Sequence, residues 1–192
     1  MTLGTARAIL NGRRRSHVRG KQMARIGERP GHVHRAYAWG EDGQIHYRRA
    51  GPAGARSPLL LLHASDGSAA AFEPLMSDMG RDRSMIAPDL PGTGMSDPLK
   101  GRGGLAAQAG AMLDVVAELG LGMVDVLGVR DGGAVALEMA RQQPDVVRKI
   151  ILVSAPAPEG LFSQPTLALD LPGFPAAGAD QAAQAFKGFL DT

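Results

Sequence analysis

The stretch GVRDGG at residues 128–133 joins an apolar run, MVDVLGV, to a helical pattern, AVALEMA. The small residues Gly128 and Gly132 flank Arg130, a spacing that permits a tight, strained turn between a strand and a helix. Arg130 therefore stands at the tip of the predicted turn. Because a guanidinium stays protonated, it cannot attack a carbonyl carbon, whereas it can bind a carboxylate or a phosphate.

The neighbouring acid, Asp131, has two interpretations. If the turn shifts by one residue, Asp131 stands at its tip and is a candidate nucleophile. In the unshifted register it is an acid near a helix N-terminus, where the helix dipole favours a negative charge. The apolar face of AVALEMA fixes the register of the helix against its sheet, which favours the second interpretation.

A histidine would be the expected general base, and all of the histidines precede the turn. They are His17, His32, His34, His46 and His63. His63 ends the apolar run PLLLLH, and we interpret it as a buried histidine beneath the loop ASDGS. We interpret His46, in QIHYRRA, as a strand residue that faces solvent or a neighbouring side chain.

The sequence indicates no cofactor and no metal. It contains no cysteine, which excludes disulfides and thiolate metal sites. The glycines of PGTGMSD lack the GxGxxG spacing of dinucleotide-binding folds, and no Walker-type lysine is present. His32 and His34 lack convincing partners for a metal site.

Charge is distributed unevenly along the chain. Residues 1–33 hold eight Lys or Arg and a single acid, so this segment carries a charge of about +7. Because the net charge of the whole chain is +2, the remaining residues carry about −5. We predict that residues 1–33 form a disordered extension or precede the natural start, since Met23 lies ahead of the patterned region. A nucleic-acid-binding arm is the less favoured alternative. No apolar run reaches the roughly 18–20 residues of a membrane helix, and we expect a soluble, cytoplasmic protein without membrane partners.

The elements that must position the turn follow from hydrophobic periodicity. Two strands at RAYAWG and QIHYRRAG precede three strand–helix units and a further strand, KIILVSA. This order predicts an α/β fold, in which a mainly parallel sheet has helices on both faces and the first two strands form an antiparallel edge. The predicted core spans residues 34–156. In the tail, residues 157–192, we predict one short helix around residues 180–190 and no further strand.

Three segments resemble the α/β-hydrolase superfamily, in the same order and at similar spacing. They are LLLLHASDGSAAAF, APDLPGTGMSDP and VDVLGVRDGGAVALEMARQQPDVVRKIILVSAP. The resemblance covers roughly residues 35–156. It implies that residues 128–132 form the nucleophile elbow of that family, with Arg130 in the place of the nucleophile.

The resemblance also implies the remaining parts of the site. The donors of the oxyanion hole would be backbone N–H groups of Ala64 or Ser65 and of Asp131, and His63 would order the loop that carries them. The family's base is a histidine on a loop after the last strand. The family has eight strands, with a cap after the sixth. We therefore predict a domain truncated after about its sixth strand, a tail that begins the cap or is disordered, and an open sheet edge where the seventh strand would pair.

Several functions remain compatible with these observations. The first is a hydrolase of esters or related bonds, which would need another nucleophile than Arg130. The second is a catalytically inactive or fragmentary relative of such hydrolases. The third is a module that binds an anionic small molecule at Arg130, or a partner or second copy at the open edge. The fourth is a hydrolase of the dehalogenase or epoxide-hydrolase type, with Asp131 as nucleophile. The sequence does not select the bond that would be cleaved.

Overall fold

A computed structural model describes residues 32–155, apart from 53, 55 and 102, and the backbone of residues 166–169. The predictions for residues 1–31 and for a helix around residues 180–190 lie outside these residues. The strands are β1 (His34–Trp39), β2 (Gln44–Ala50), β3 (Leu59–Leu62), β4 (Met85–Pro88), β5 (Val124–Val129), β6 (Val147–Val153) and β7 (Thr166–Leu169). The helices are α1 (Glu73–Met79), preceded by a 3₁₀ turn at Ala69–Phe72, α2 (Leu105–Glu118) and α3 (Asp131–Gln142).

The described strands form one sheet in the order β1-β2-β4-β3-β5-β6-β7. Strand β2 pairs antiparallel with β1 and β4, and the other neighbouring strands are parallel. The predicted α/β fold with an antiparallel leading pair is therefore confirmed. Helices α1, α2 and α3 connect β3 to β4, β4 to β5 and β5 to β6, and they cover both faces of the sheet.

The core lies in two layers, one on each face of the sheet. Leu60 and Leu62 of β3 face the layer beneath α2 and α3, whereas Leu59 and Leu61 face the layer beneath α1. All four leucines are completely buried. Because successive residues of a strand point to opposite faces, a strand covered on both sides must be apolar throughout. This explains the uninterrupted run LLLL.

Strand β7 corrects one prediction about the tail. The sequence predicted no strand after β6, yet Thr166–Leu169 pairs in parallel with β6, from Ile150 opposite Thr166 to Val153 opposite Leu169. The edge of β6 is therefore occupied, and the open edge predicted there is wrong. The described sheet thus has one strand more than the six that the sequence predicted.

A buried ion-pair network lies at the start of β5, at the end of the sheet opposite the turn. The Asp125 carboxylate is completely buried and accepts two hydrogen bonds of 2.7 Å from Arg148 and a third from Arg83. A buried carboxylate needs such partners, because removing a charge from water is costly. The hydrogen bonds that Arg148 donates to Asp125 raise the pKa of Arg148. Among the described helices, none is long and apolar enough to cross a membrane.

Candidate functional site

The turn between β5 and α3 places Arg130 at its tip. Its backbone has φ of 50° and ψ of −113°, a conformation that side-chain-bearing residues rarely adopt. The Arg130 N–H donates to the Val153 carbonyl over 2.9 Å, and its carbonyl accepts from the Gly133 N–H over 2.9 Å. Such a conformation costs about 1–3 kcal/mol and persists because the surroundings enforce it. Asp131 follows as the first residue of α3.

Close backbone contacts explain the two glycines that flank the tip. A Cβ on Gly128 would lie 2.4 Å from the Gly132 carbonyl oxygen, and a Cβ on Gly132 would lie 2.4 Å from the Leu62 carbonyl oxygen. Both contacts are to backbone atoms, which cannot move aside as a flexible side chain can. Strand β5, the turn and strand β3 therefore pack at a distance that only glycine permits. The tight packing fixes the register, so the one-residue shift considered for Asp131 does not occur.

The Arg130 guanidinium points to the mouth of the turn. Its Nη1 lies 3.1 Å from Oδ2 of Asp66, in the loop after β3. The two side chains are 56% and 70% exposed, so this ion pair lies in water and stabilises the fold by at most about 1 kcal/mol. Asp66 is a residue that the sequence analysis did not single out. Only the fold brings the two loops together.

Asp131 is bound by the same loop. Its carboxylate accepts a hydrogen bond from the Ser65 N–H over 3.3 Å and another from the Ser65 hydroxyl. These bonds from Ser65, together with the nearby charge of Arg130, lower the pKa of Asp131. The carboxylate is therefore ionised at neutral pH. The Asp131 carboxylate thus accepts a hydrogen bond from the Ser65 N–H, one of the donors predicted for the oxyanion hole.

His63 lies buried beneath the loop after β3. Its Nδ1 donates to the Ala64 carbonyl over 2.7 Å, and its Nε2 accepts from the Leu90 N–H over 2.9 Å. Burial lowers the pKa of His63, which favours the neutral ring with a proton on Nδ1. The ring therefore holds together the loops after β3 and β4. Both nitrogens are engaged, so the imidazole is not disposed to take a proton from a nucleophile.

A second histidine, His46, forms a buried pair with Asp89. The distance from Nδ1 of His46 to Oδ2 of Asp89 is 2.8 Å, and both residues are about 1% exposed. The carboxylate also accepts from the Ala69 N–H over 2.7 Å and from the Met95 N–H over 3.0 Å. Asp89 therefore links β2 to the loops that follow β3 and β4. We expected His46 to face either solvent or a neighbouring side chain, and in the structure it faces the side chain of Asp89.

The environment of Asp89 keeps its carboxyl charged. Burial alone would raise the pKa of this carboxyl, but hydrogen bonds from two backbone N–H groups and from His46 outweigh burial and hold the pKa below its ordinary value. Neither Asp89 nor its pairing with His46 was predicted from the sequence. The signal was an acid, Asp89, directly after an apolar strand at the same sheet edge as the elbow.

The arrangement brings together four polar residues at the carboxyl ends of β3 and β5: Ser65, Asp66, Arg130 and Asp131. Neither His46 nor His63 forms a described hydrogen bond to any of these four residues. The described hydrogen bonds of His46 and His63 go to other residues, and no group of metal-binding side chains occurs in the described part of the chain. The cluster can bind charged groups, and its residue at the tip cannot act as a nucleophile.

Comparison with known proteins gives the same fold. The sequence model of the alpha/beta hydrolase fold family matches residues 57–188. An uncharacterized protein of Mycobacterium tuberculosis H37Rv is 36% identical over 110 residues, which cover 57% of this chain and 32% of that protein. The 2-hydroxymuconate semialdehyde hydrolase of Pseudomonas sp. CF600 is 31% identical over 117 residues, covering 56% of this chain and 41% of the enzyme.

Two solved structures superpose on this chain over about two thirds of its length. The epoxide hydrolase CorEH superposes with a TM-score of 0.61 at 27% identity, over 65% of this chain and 43% of that chain. The N-acyl homoserine lactonase AidH, complexed with N-butanoyl homoserine, superposes with a TM-score of 0.60 at 30% identity, over 64% and 45% of the two chains.

The chain spans about a third to two fifths of the length of the curated relatives that it matches. The segment matched by the family model, residues 57–188, nevertheless includes β3 to β6, the turn between β5 and α3 and the loops around it. Because the family model covers more than half of the chain and the sheet has the topology of the structural neighbours, this chain belongs to the alpha/beta hydrolase fold family.

Proposed function

We propose that this hydrolase-fold chain binds a carboxylate or phosphate group of a small molecule at Arg130 and forms no covalent intermediate at the tip of its elbow. One observation carries the proposal. The residue at the strained tip, with φ of 50°, is an arginine whose guanidinium is 56% exposed. A cation at the mouth of a site formed by the carboxyl ends of parallel strands suits an anionic ligand.

The ion pair between Arg130 and Asp66 is weak enough for an anionic ligand to displace Asp66 from the guanidinium. Because both side chains are well exposed, water screens their attraction, and the pair is weak. A ligand carboxylate or phosphate can accept two parallel hydrogen bonds from the guanidinium and is then held more strongly than Asp66. Asp66 would swing into solvent when the ligand binds.

Inactivity at the tip follows from the chemistry of the side chain. Two of the similar proteins named above, the 2-hydroxymuconate semialdehyde hydrolase and the epoxide hydrolase CorEH, are hydrolases by name. The family's mechanism requires a nucleophile at the elbow. A guanidinium remains protonated at any physiological pH and has no lone pair with which to attack. This argument depends only on Arg130 and its position.

A second candidate function is hydrolysis with Asp131 as nucleophile, of the epoxide-hydrolase or dehalogenase type. The observation in its favour is an ionised, exposed carboxylate one residue beyond the tip. The Asp131 carboxylate would attack from the first residue of α3, and it would first have to break its hydrogen bonds with Ser65. We therefore rank this function below anion binding.

Calorimetry with acetate and inorganic phosphate tests the proposal. We expect Arg130→Ser to abolish binding and Asp66→Asn to strengthen it, because the second change removes the competing carboxylate. Arg141→Ser is the matched control: Arg141 is also an exposed arginine bound to a carboxylate, Glu138, but it lies in the last turn of α3. Binding that survives Arg130→Ser, or that Asp66→Asn leaves unchanged, would overturn the proposal.

Activity assays separate the two candidates. A fluorophosphonate probe should leave the unmodified chain unlabelled, because it reacts with activated serine nucleophiles. Release of bromide from 1-bromobutane, lost in Asp131→Asn and retained in Arg141→Ser, would establish the second candidate in place of the first. No release from any of these chains would exclude haloalkane cleavage by Asp131.

A further inference from the structure

Strand β1 is one end of the described sheet. It pairs with β2 on one side, whereas the edge that the sequence analysis expected to be open, at β6, is occupied by β7. An edge strand presents unpaired N–H and C=O groups to another strand. Proteins often protect such edges with lysine, proline or a bulge. The sequence of β1, HRAYAW, has no lysine and no proline and only one charged side chain, Arg35, and its register with β2 runs without a shift.

The two faces of β1 differ sharply. Ala36 and Ala38 face the core layer of α2 and α3. Arg35, Tyr37 and Trp39 alternate with them on the opposite face, and Tyr37 and Trp39 are 44% and 64% exposed. Exposed aromatic side chains beside an arginine are the composition of protein interfaces. This face of β1 therefore has the character of an interaction surface.

Charge along β1 favours a second copy of the same chain as the partner. The start of the strand holds one cation, Arg35, and two imidazole side chains that can donate to carboxylates, His32 and His34, and the turn after it holds two acids, Glu41 and Asp42. A second β1 that pairs antiparallel brings the basic end of each copy to the acidic end of the other. A parallel arrangement would bring like charges together. The sequence of this edge is thus complementary to itself about a two-fold axis.

We propose that β1 is a homodimer interface, at which the β1 strands of two copies pair antiparallel about a two-fold axis at Tyr37. In this register the two Tyr37 residues face each other. Arg35 of each copy lies opposite Trp39 of the other, and a guanidinium and an indole attract each other. The Arg35 guanidinium also lies 3.4 Å from the Glu73 carboxylate of its own chain, an exposed and therefore weak ion pair. Backbone hydrogen bonds between the edges supply the rest of the binding, and the two sheets become continuous.

Cysteine crosslinking tests the register, because the chain has no cysteine of its own. Opposed residues of antiparallel strands have Cα atoms about 4.5–5.5 Å apart, which suits a disulfide. We expect Tyr37→Cys to form a covalent dimer in oxidising buffer. Met123→Cys, at a residue that is 50% exposed outside β1, is the control for random collision and should stay monomeric on a non-reducing gel. Equal crosslinking of both variants, or none of Tyr37→Cys, would overturn the proposal.

Sedimentation equilibrium of the full chain tests the dimer without a crosslink. We expect the unmodified chain to associate with rising concentration, and Trp39→Lys to raise the dissociation constant at least about tenfold. Met123→Lys, which also replaces an exposed apolar residue, should leave association unchanged. Circular dichroism verifies that the variants fold. A monomer at every concentration would overturn the proposal, as would equal effects of the two lysine variants.

Discussion

Ser65 donates both its backbone N–H and its hydroxyl to the carboxylate of Asp131, which joins the loop after β3 to the first residue of α3. The bond therefore spans the mouth of the candidate site. It stabilises the ionised form of Asp131, whose pKa it lowers. The Asp131 carboxylate thus accepts a hydrogen bond from the Ser65 N–H, one of the donors that the sequence resemblance predicts for an oxyanion hole.

Replacement of Ser65 by alanine should raise the pKa of Asp131, because the hydroxyl donor is lost. Carboxyl-carbon NMR through an acid titration measures this shift. In the unmodified chain the folded pKa of Asp131 lies below its value in the unfolded chain. The ionised group therefore stabilises the fold above about pH 4, and this contribution disappears as the pH falls through the folded pKa.

Ser68→Ala is the matched control for that titration. Ser68 lies on the same loop but caps the 3₁₀ turn through the Ala70 N–H, so its removal should leave the pKa of Asp131 unchanged. An unchanged pKa in Ser65→Ala would contradict the assigned role of Ser65.

Gly128→Ala should destabilise the fold by at least about 2 kcal/mol, because the new methyl group would meet backbone atoms of Gly132 and Gly133 at 2.4–2.5 Å. Gly110→Ala provides the opposite expectation in the same protein. Gly110 lies within α2, and the nearest atom to its added Cβ is 4.0 Å away, so alanine should stabilise the helix by about 0.5–1 kcal/mol. Urea unfolding measures both changes, and equal effects would contradict the close approach at the turn.

Arg130→Gly should be more stable than Arg130→Ala by about 1 kcal/mol. Both variants lose the ion pair with Asp66, so the difference between them isolates the backbone strain at φ of 50°. Glycine relieves this strain, and part of the gain is offset by its greater freedom in the unfolded chain. Thermal and urea unfolding provide the comparison. Equal stability would show that the turn stores no strain at this residue.

Asp89→Asn should destabilise the fold by about 3–5 kcal/mol, because a buried partner of His46 is lost and three donors must share one amide oxygen. Since the folded pKa of Asp89 is lowered, its contribution is present above about pH 4 and is lost as the pH falls through the folded pKa. The variant should therefore show a flatter loss of stability in acid.

Asp97→Asn is the control for Asp89. Asp97 is an exposed acid in the same loop whose carboxylate accepts from the Gln44 N–H over 2.9 Å, so its replacement should cost no more than about 1 kcal/mol. Similar losses in the two variants would mean that burial of the Asp89 pair contributes little.

Local pattern was sufficient for most of the fold. The run LLLL and the helical spacing in residues 105–118 report burial directly, since burial on two faces or on one stripe leaves a periodic trace in the sequence. Strand β7 left no such trace. These four residues form a strand because they pair with β6, and a local sequence pattern of four residues does not reveal a pairing partner.

The sequence by itself determined that an arginine stands at the tip of the turn and that glycines flank it, because residue types and their spacing can be read directly from the sequence. Only the tertiary structure decided which groups meet there. Asp66 reaches Arg130, Ser65 reaches Asp131, and His46 reaches Asp89, each pair separated by more than 40 residues. Hydrogen bonds act over about 3 Å, and only the packing of strands into a sheet brings residues so distant in sequence within that range.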